Sequence, residues 1–129
     1  RLTALRTLDV SSNELEGTIP VEFGQLTNLE DLRLHYNNMT GTLPTALGDM
    51  KNMQELSLSL NKLIGSLPSE LGILSMLRYL HLGVNDLIGS IPIEFGQLTN
   101  LEELDLSYNA LSGSLREEMG GLTALKYLA

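Results

Sequence analysis

A repeat with a step of 24 positions, as from Asn13 to Asn37, runs along the whole of this 129-residue sequence and constrains its fold more than any other feature. One asparagine and one glycine recur at every step, as Asn13, Asn37, Asn61, Asn85 and Asn109 and as Gly17, Gly41, Gly65, Gly89 and Gly113. Leucines and methionines fill the apolar positions between them. The repeat predicts a single array with full units at 5–28, 29–52, 53–76, 77–100 and 101–124, partial units at both ends and no capping segments.

Each unit is expected to contribute one short strand. The segment Leu32-Arg33-Leu34 alternates apolar and polar residues, which is the period of a strand. A unit of this length is too short for a strand with a full crossover helix and its loops. We therefore expect each unit to form one coil of a solenoid, with parallel strands about 4.7–4.9 Å apart. Since no unit can bury its apolar face alone, the coils stabilise one another by stacking.

The polar columns predict how each coil turns. An asparagine that follows a strand is expected to point inward, because its amide can bond backbone groups where the coil leaves the sheet. The glycine column suits either a backbone conformation closed to other residues or a close approach of the backbone. Pro20 and its copies suit the start of a short helical turn on the opposite, convex side, although Arg116 stands at this position in the last unit.

The unit reads L-x-x-L-x-L-x-x-N-x-L-x-G-x-I/L-P-x-x-L/F-G-x-L-x-x, and it resembles the plant-type leucine-rich repeat. That repeat occurs in receptor-like kinase ectodomains and polygalacturonase-inhibiting proteins. The resemblance implies an α/β repeat solenoid, a right-handed superhelix with a parallel concave sheet and short 3-10 or helical turns on the convex side. It also implies protein or peptide ligands and an extracellular or cell-surface setting. The Cys-bearing caps usual in the family are absent from this sequence.

Composition narrows the function classes. The 16 acidic residues outnumber the 8 basic ones, which argues against nucleic acid as a partner. No apolar run approaches the roughly 18 residues that span a bilayer, so we expect no direct membrane contact by this segment. Because the sequence begins Arg1-Leu2-Thr3, we expect a fragment of a longer protein, in which a membrane anchor or a catalytic domain could lie elsewhere.

We expect no catalysis, cofactor or metal site within these residues. His35 and His81 fall in different units, about 9–10 Å apart by strand spacing, which is too far to share a metal ion. A Ser59–His81 pair would have no obvious carboxylate to orient the imidazole and no oxyanion site. The sequence also has no Cys, no phosphate-binding loop and no cage of six oxygen ligands for Ca²⁺.

The candidate ligand-binding residues lie in outward positions that vary between units while the framework stays constant. On the concave face they are Asp31, Arg33, His35, Glu55, Ser57, Tyr79, His81, Glu103 and Asp105. A rigid scaffold with a varied face suits a binding module, and the acidic excess favours a partner with basic groups. The alternative is a solvated acidic face whose variation reflects drift.

A second candidate surface, here called the apolar strip, follows one side of the sheet. Its residues are Tyr36, Leu60, Ile64, Val84, Ile88 and Tyr108. Exposed apolar residues mark interfaces, and tyrosine is a frequent anchor. The alternative is that these side chains pack on the neighbouring loop.

These observations predict a non-catalytic recognition module for a protein or peptide, from a receptor-like signalling protein of the cell surface or a secreted protein. A secreted inhibitor of a foreign enzyme, such as a polygalacturonase, and an intracellular scaffold remain open. The sequon Asn38-Met39-Thr40 makes Asn38 a candidate glycosylation site and agrees with an extracellular setting.

Overall fold

The computed structural model describes residues 2–129, which form two parallel sheets connected by short 3-10 turns. The first sheet contains, in this order, β1 (Thr7–Asp9), β3 (Asp31–Arg33), β5 (Glu55–Ser57), β7 (Tyr79–His81), β9 (Glu103–Asp105) and β11 (Tyr127–Leu128). The second sheet contains β2 (Glu16–Thr18), β4 (Asn38–Thr42), β6 (Lys62–Ser66), β8 (Asp86–Gly89) and β10 (Ala110–Leu111). The predicted solenoid of parallel strands is confirmed.

The 3-10 turns complete each coil on the convex side. They span Val21–Gln25, Thr45–Asp49, Ser69–Ile73, Ile93–Gln97 and Glu117–Gly121. A proline in extended conformation precedes each of the first four turns, as the sequence predicts. The last turn forms after Arg116, whose extended backbone, with φ of −94°, takes the place of proline.

The leucine columns form one continuous core between the layers. Leu32, Leu56, Leu80 and Leu104 lie side by side on neighbouring strands and are fully buried. Leu8, on the outermost strand β1, is only partly buried. Burial therefore depends on having a neighbouring coil on each side, as expected for a solenoid.

The asparagine ladder connects successive coils through buried hydrogen bonds. The Asn85 amide donates to the carbonyl oxygens of Leu58 and Leu82 at 3.1 and 3.0 Å. Its side-chain oxygen accepts the backbone N–H of Leu63 at 3.0 Å. Equivalent bonds surround Asn37, Asn61 and Asn109. The predicted inward direction is confirmed for these four asparagines, and each of the four satisfies backbone groups of more than one unit, whereas Asn13 at the end of the ladder is exposed.

The two sheets differ in register. In the first sheet, equivalent residues of successive units face each other, so that Asp31 lies opposite Glu55. In the second sheet the register is shifted by two positions, and Ile64 lies opposite Asp86 rather than opposite Ile88. Ile64 and Ile88 occupy the same place in the repeat, yet Ile88 lies opposite Ser66. Because a shift of two residues keeps side chains on the same face, both isoleucines still point outward.

Candidate ligand-binding surface

The first sheet assembles eight of the nine predicted concave residues in two rows on its outer face, and His35 follows just after β3. The first row is Asp31, Glu55, Tyr79 and Glu103, and the second is Arg33, Ser57, His81 and Asp105. Each strand contributes its first and third residues, which share a face because side chains alternate along a strand. The central leucine of every strand points to the core, which fixes both rows.

Arg33 is the centre of an ion-pair network on this face. Its guanidinium donates to both carboxylate oxygens of Glu55, at 2.8 and 2.6 Å. Asp9 and Asp31 lie 4.0 Å from the same group. The hydrogen bond from Arg33 lowers the pKa of Glu55, and the bond to Glu55 raises the pKa of Arg33. The guanidinium is therefore already occupied, and three carboxylates surround this one cation.

An open cavity of about 290 Å³ lies on the same face, and we call it the acidic cavity. Its lining is His35, Ser57, Ser59, Leu60, His81, Glu103, Asp105 and Tyr127. Small side chains create the cavity, because Ser57 at the end of β5 and Ser59 just after it lie between larger groups on the flanking strands. Glu103 and Asp105 give its wall a negative charge.

The polar groups of the acidic cavity are largely held in place. His81 Nε2 lies 3.1 Å from Glu103 Oε2, and Ser57 Oγ lies 3.2 Å from His35 Nδ1. Asp105 accepts hydrogen bonds from the backbone N–H and the hydroxyl of Ser107 at 2.9 and 2.6 Å. Ser59 Oγ is buried and has no hydrogen-bond partner within residues 2–129. The Ser59–His81 pair that was considered from the sequence as a catalytic arrangement therefore does not form within residues 2–129.

The structure divides eight of the nine predicted concave residues into two groups and adds others. Asp31 and Glu55 belong with Arg33 to its network, whereas the two histidines, Ser57, Glu103 and Asp105 line the acidic cavity. Tyr79 belongs to neither group, and its ring centroid lies 5.3 Å from the Arg78 guanidinium. Sequence reasoning missed Ser59 and Tyr127 as lining residues. Tyr127 lies opposite Glu103 on β11, and it occupies the place of Glu103 in the following unit. Extending the outward column into the last partial unit would have found it.

The apolar strip lies exposed beside the first sheet and on β6 and β8. Its six residues keep between 42% and 84% of their surface exposed. Four of them, Tyr36, Leu60, Val84 and Tyr108, have left-handed backbones with φ between 52° and 57°. This conformation costs a residue with a side chain roughly 1–2 kcal/mol, and glycine or asparagine tolerates it best. These positions thus combine backbone strain with apolar exposure.

An open groove of about 440 Å³ runs along part of the strip and is lined by three of its six residues. Tyr36, Leu60 and Val84 form its apolar part, while Asn38 and Lys62 contribute polar groups. Leu60 lines both this groove and the acidic cavity, so the two depressions adjoin at one side chain. Asn38 is the half-buried first residue of β4, and its glycosylation remains a prediction.

The strain at Val84 predicts a stability difference between two similar substitutions. We expect Val84→Asn to be more stable than Ile88→Asn by about 1 kcal/mol, because asparagine relieves the left-handed strain at position 84 alone. The two residues match as a pair, since Val84 is 42% and Ile88 52% exposed and Ile88 has no positive φ. Urea unfolding of both variants gives the difference. Equal stabilities would show that the left-handed backbone carries no measurable cost.

No helix within residues 2–129 is long and apolar enough to cross a bilayer. Over the same part of the chain, no three His, Asp or Glu side chains are grouped as a metal site.

Comparison with protein families identifies the repeat. Models described as leucine rich repeat match residues 27–87 and residues 4–26 and 100–122. No curated protein matches the sequence.

Solved structures of plant receptors superpose closely on the chain. Among them is the ectodomain of GASSHO1/SCHENGEN3 from Arabidopsis thaliana with CASPARIAN STRIP INTEGRITY FACTOR 2, with 38% identity and a TM-score of 0.95. The plant peptide hormone receptor RGFR1 with RGF2 has 40% identity and a TM-score of 0.97. The Arabidopsis receptor kinase HAESA with the peptide hormone IDA and SERK1 has 37% identity and a TM-score of 0.95. Each match covers 98% of this chain, which spans 15%, 20% and 21% of the three receptor chains.

Proposed function

This chain belongs to the plant-type leucine-rich repeat family, and we propose that it is a non-catalytic module that recognises a peptide. We further propose that it forms part of a receptor-like protein of the cell surface that binds its ligand outside the cell. The observation that carries the proposal is the similarity, over 98% of the chain, to ectodomains solved with peptide hormones. Since the chain spans at most 21% of those receptor chains, the activity of the whole protein is part of the proposal.

The outer face of the first sheet supports a recognition role. Fully buried leucines fix every central strand, so the outward residues are held by a rigid support. Such a support lowers the entropy lost when a ligand binds. The face also combines charged, aromatic and hydroxyl groups around an open cavity, which is the chemistry that a peptide backbone and its side chains require.

The arrangement of the two histidines supports a non-catalytic role. In a hydrolytic triad a carboxylate orients the histidine that activates the serine. Here Glu103 bonds His81, whereas the serine Ser57 bonds His35. The carboxylate and the hydroxyl thus contact different imidazoles, and the described residues place no triad on this face.

A phage-displayed library of random 12-residue peptides tests this function. We expect selection against the folded chain to yield peptides with a Kd in the micromolar range, which corresponds to a binding free energy of about −8 kcal/mol. Their addition should shift the NMR signals of Ser57, His81 and Asp105 and leave the convex turns unchanged. A selection that yields no binder, or binders that perturb only the convex turns, would contradict the proposal.

The secreted-inhibitor alternative makes a different prediction for the same protein. An inhibitor would slow pectin hydrolysis by a polygalacturonase in proportion to complex formation. A peptide-recognition module would bind the selected peptides and leave that enzyme's rate unchanged. Measuring both on one preparation separates the two functions.

A further inference from the structure

We infer that the ligand is a peptide with a basic side chain close to an apolar one. The basic residue enters the acidic cavity, and the apolar residue lies in the groove along the apolar strip. This inference rests on the proposed function and names the chemistry that the surface selects.

The charge of the face favours a cation. Within residues 2–129 its carboxylates are Asp9, Asp31, Glu55, Glu103 and Asp105, against the single guanidinium of Arg33. Because Glu55 holds that guanidinium with two hydrogen bonds and Asp9 and Asp31 lie 4.0 Å from it, carboxylates of the same face already balance the charge of Arg33. These six groups alone give the face a net charge of −4. Hydrogen bonds between a basic side chain and a carboxylate are among the stronger ones in proteins.

The shape of the acidic cavity suits a lysine or arginine side chain. Leu60 and Tyr127 supply apolar wall for the aliphatic stem, while Glu103 and Asp105 supply acceptors for the charged head. Ser59, whose side chain is small, leaves space beside that stem in the same cavity.

The apolar strip keeps apolar side chains in contact with solvent. Leu60 and Val84 each remain more than 40% exposed, whereas their left-handed backbone recurs at the same position of every unit, including Ser12, and belongs to the coil. Exposed apolar groups mark interfaces. We therefore assign the strip to ligand contact.

Leu60 connects the acidic cavity, which receives the basic side chain, with the groove, which receives the apolar one. Because this side chain lines the acidic cavity and the groove alike, one short peptide reaches both. An extended peptide advances about 3.3 Å per residue, so the basic and apolar residues should lie within about four positions of each other.

The composition of the peptides selected from the 12-residue library tests the inference. We expect Arg or Lys within four positions of Leu, Ile, Phe or Trp to be enriched about fivefold over the unselected library. For such peptides, the double variant Glu103→Gln, Asp105→Asn should bind about tenfold more weakly, the equivalent of about 1.4 kcal/mol. Leu60→Glu should weaken the binding of the same peptides by a similar factor.

Matched substitutions on the convex side control for general effects on the fold. Ile93→Glu places a carboxylate at a residue 48% exposed, against 43% for Leu60, and Glu22→Gln removes an exposed carboxylate. Both should bind the selected peptides as the unchanged chain does. Circular dichroism checks the fold of every variant, and Asp105→Asn alone and Leu60→Ala replace any variant that unfolds.

The outcomes separate the inference from the proposed function. Binders without basic enrichment, or with acidic enrichment, would overturn the inference and leave peptide recognition standing. The inference would also be overturned if peptides with basic and apolar residues were selected but bound the cavity and strip variants as tightly as the unchanged chain. A library that yields no binder would instead refute the proposed function itself.

Discussion

Replacing Asn85 by alanine is expected to lower the free energy of unfolding by about 3 kcal/mol, because it leaves several buried backbone groups without partners. The side chain is 8% exposed and bonds the carbonyl oxygens of Leu58 and Leu82 and the N–H of Leu63. These groups belong to two coils, so the substitution weakens the connection between units. Urea unfolding monitored by circular dichroism measures the loss.

Asn13 provides the matched control within the same column. It is exposed at the end of the ladder and donates to the carbonyl oxygens of Val10 and Ser11, which belong to its own coil. Since water reaches these groups, Asn13→Ala should cost less than about 1 kcal/mol. Equal losses at positions 13 and 85 would show that burial and bonds between coils do not determine the strength of the ladder.

Gly72→Ala is expected to cost about 3 kcal/mol, because an added methyl group would force two coils apart. Gly72 lies in the turn Ser69–Ile73, and a Cβ atom there would lie 2.5 Å from the carbonyl oxygen of Glu94 in the next unit. The obstacle is backbone, which cannot rotate away as a flexible side chain does. Thermal and urea unfolding should both show the loss.

Gly120 occupies the same place in the last turn and serves as the control. A Cβ atom there would have no other atom within 4 Å. Alanine restricts the unfolded chain more than glycine does, so Gly120→Ala should be neutral or stabilising by up to about 1 kcal/mol. A large loss of stability at position 120 would show that this glycine column is required for its backbone conformation. A small loss of stability at position 72 would show that close packing between coils is not the reason for the column.

Much of the fold could be predicted from the sequence because it depends on local periodicity. The central leucine of each strand, the inward asparagines and the glycines of positive φ all recur at a fixed step, and each has one dominant physical role. Gly41, for example, has φ of 78°, a value that the repeat of glycine at its position predicts. Identical units stacked in register must also place equivalent outward residues in rows.

The candidate site was less predictable, because its shape depends on differences between units. The outward rows could be placed from the sequence, yet their division into the Arg33 network and the acidic cavity could not. That division depends on side-chain reach, since Arg33 extends to Glu55 on the next strand while the serines leave space. The hydrogen bond of His81 to Glu103 rather than to Ser59 also depends on rotamers that no spacing encodes.

The coil, its stacking direction and the residues that face outward follow from the repeat, because a regular repeat admits one consistent arrangement of buried leucines. The shifted register of the second sheet and the left-handed backbone at Leu60 and Val84 appear only in the folded chain. Both follow from the path by which each coil leaves the first sheet under hydrogen bonds from its neighbour, as between the Leu60 N–H and the Gly83 carbonyl at 3.0 Å. Such bonds join residues of neighbouring units, so the pattern within one unit does not reveal them.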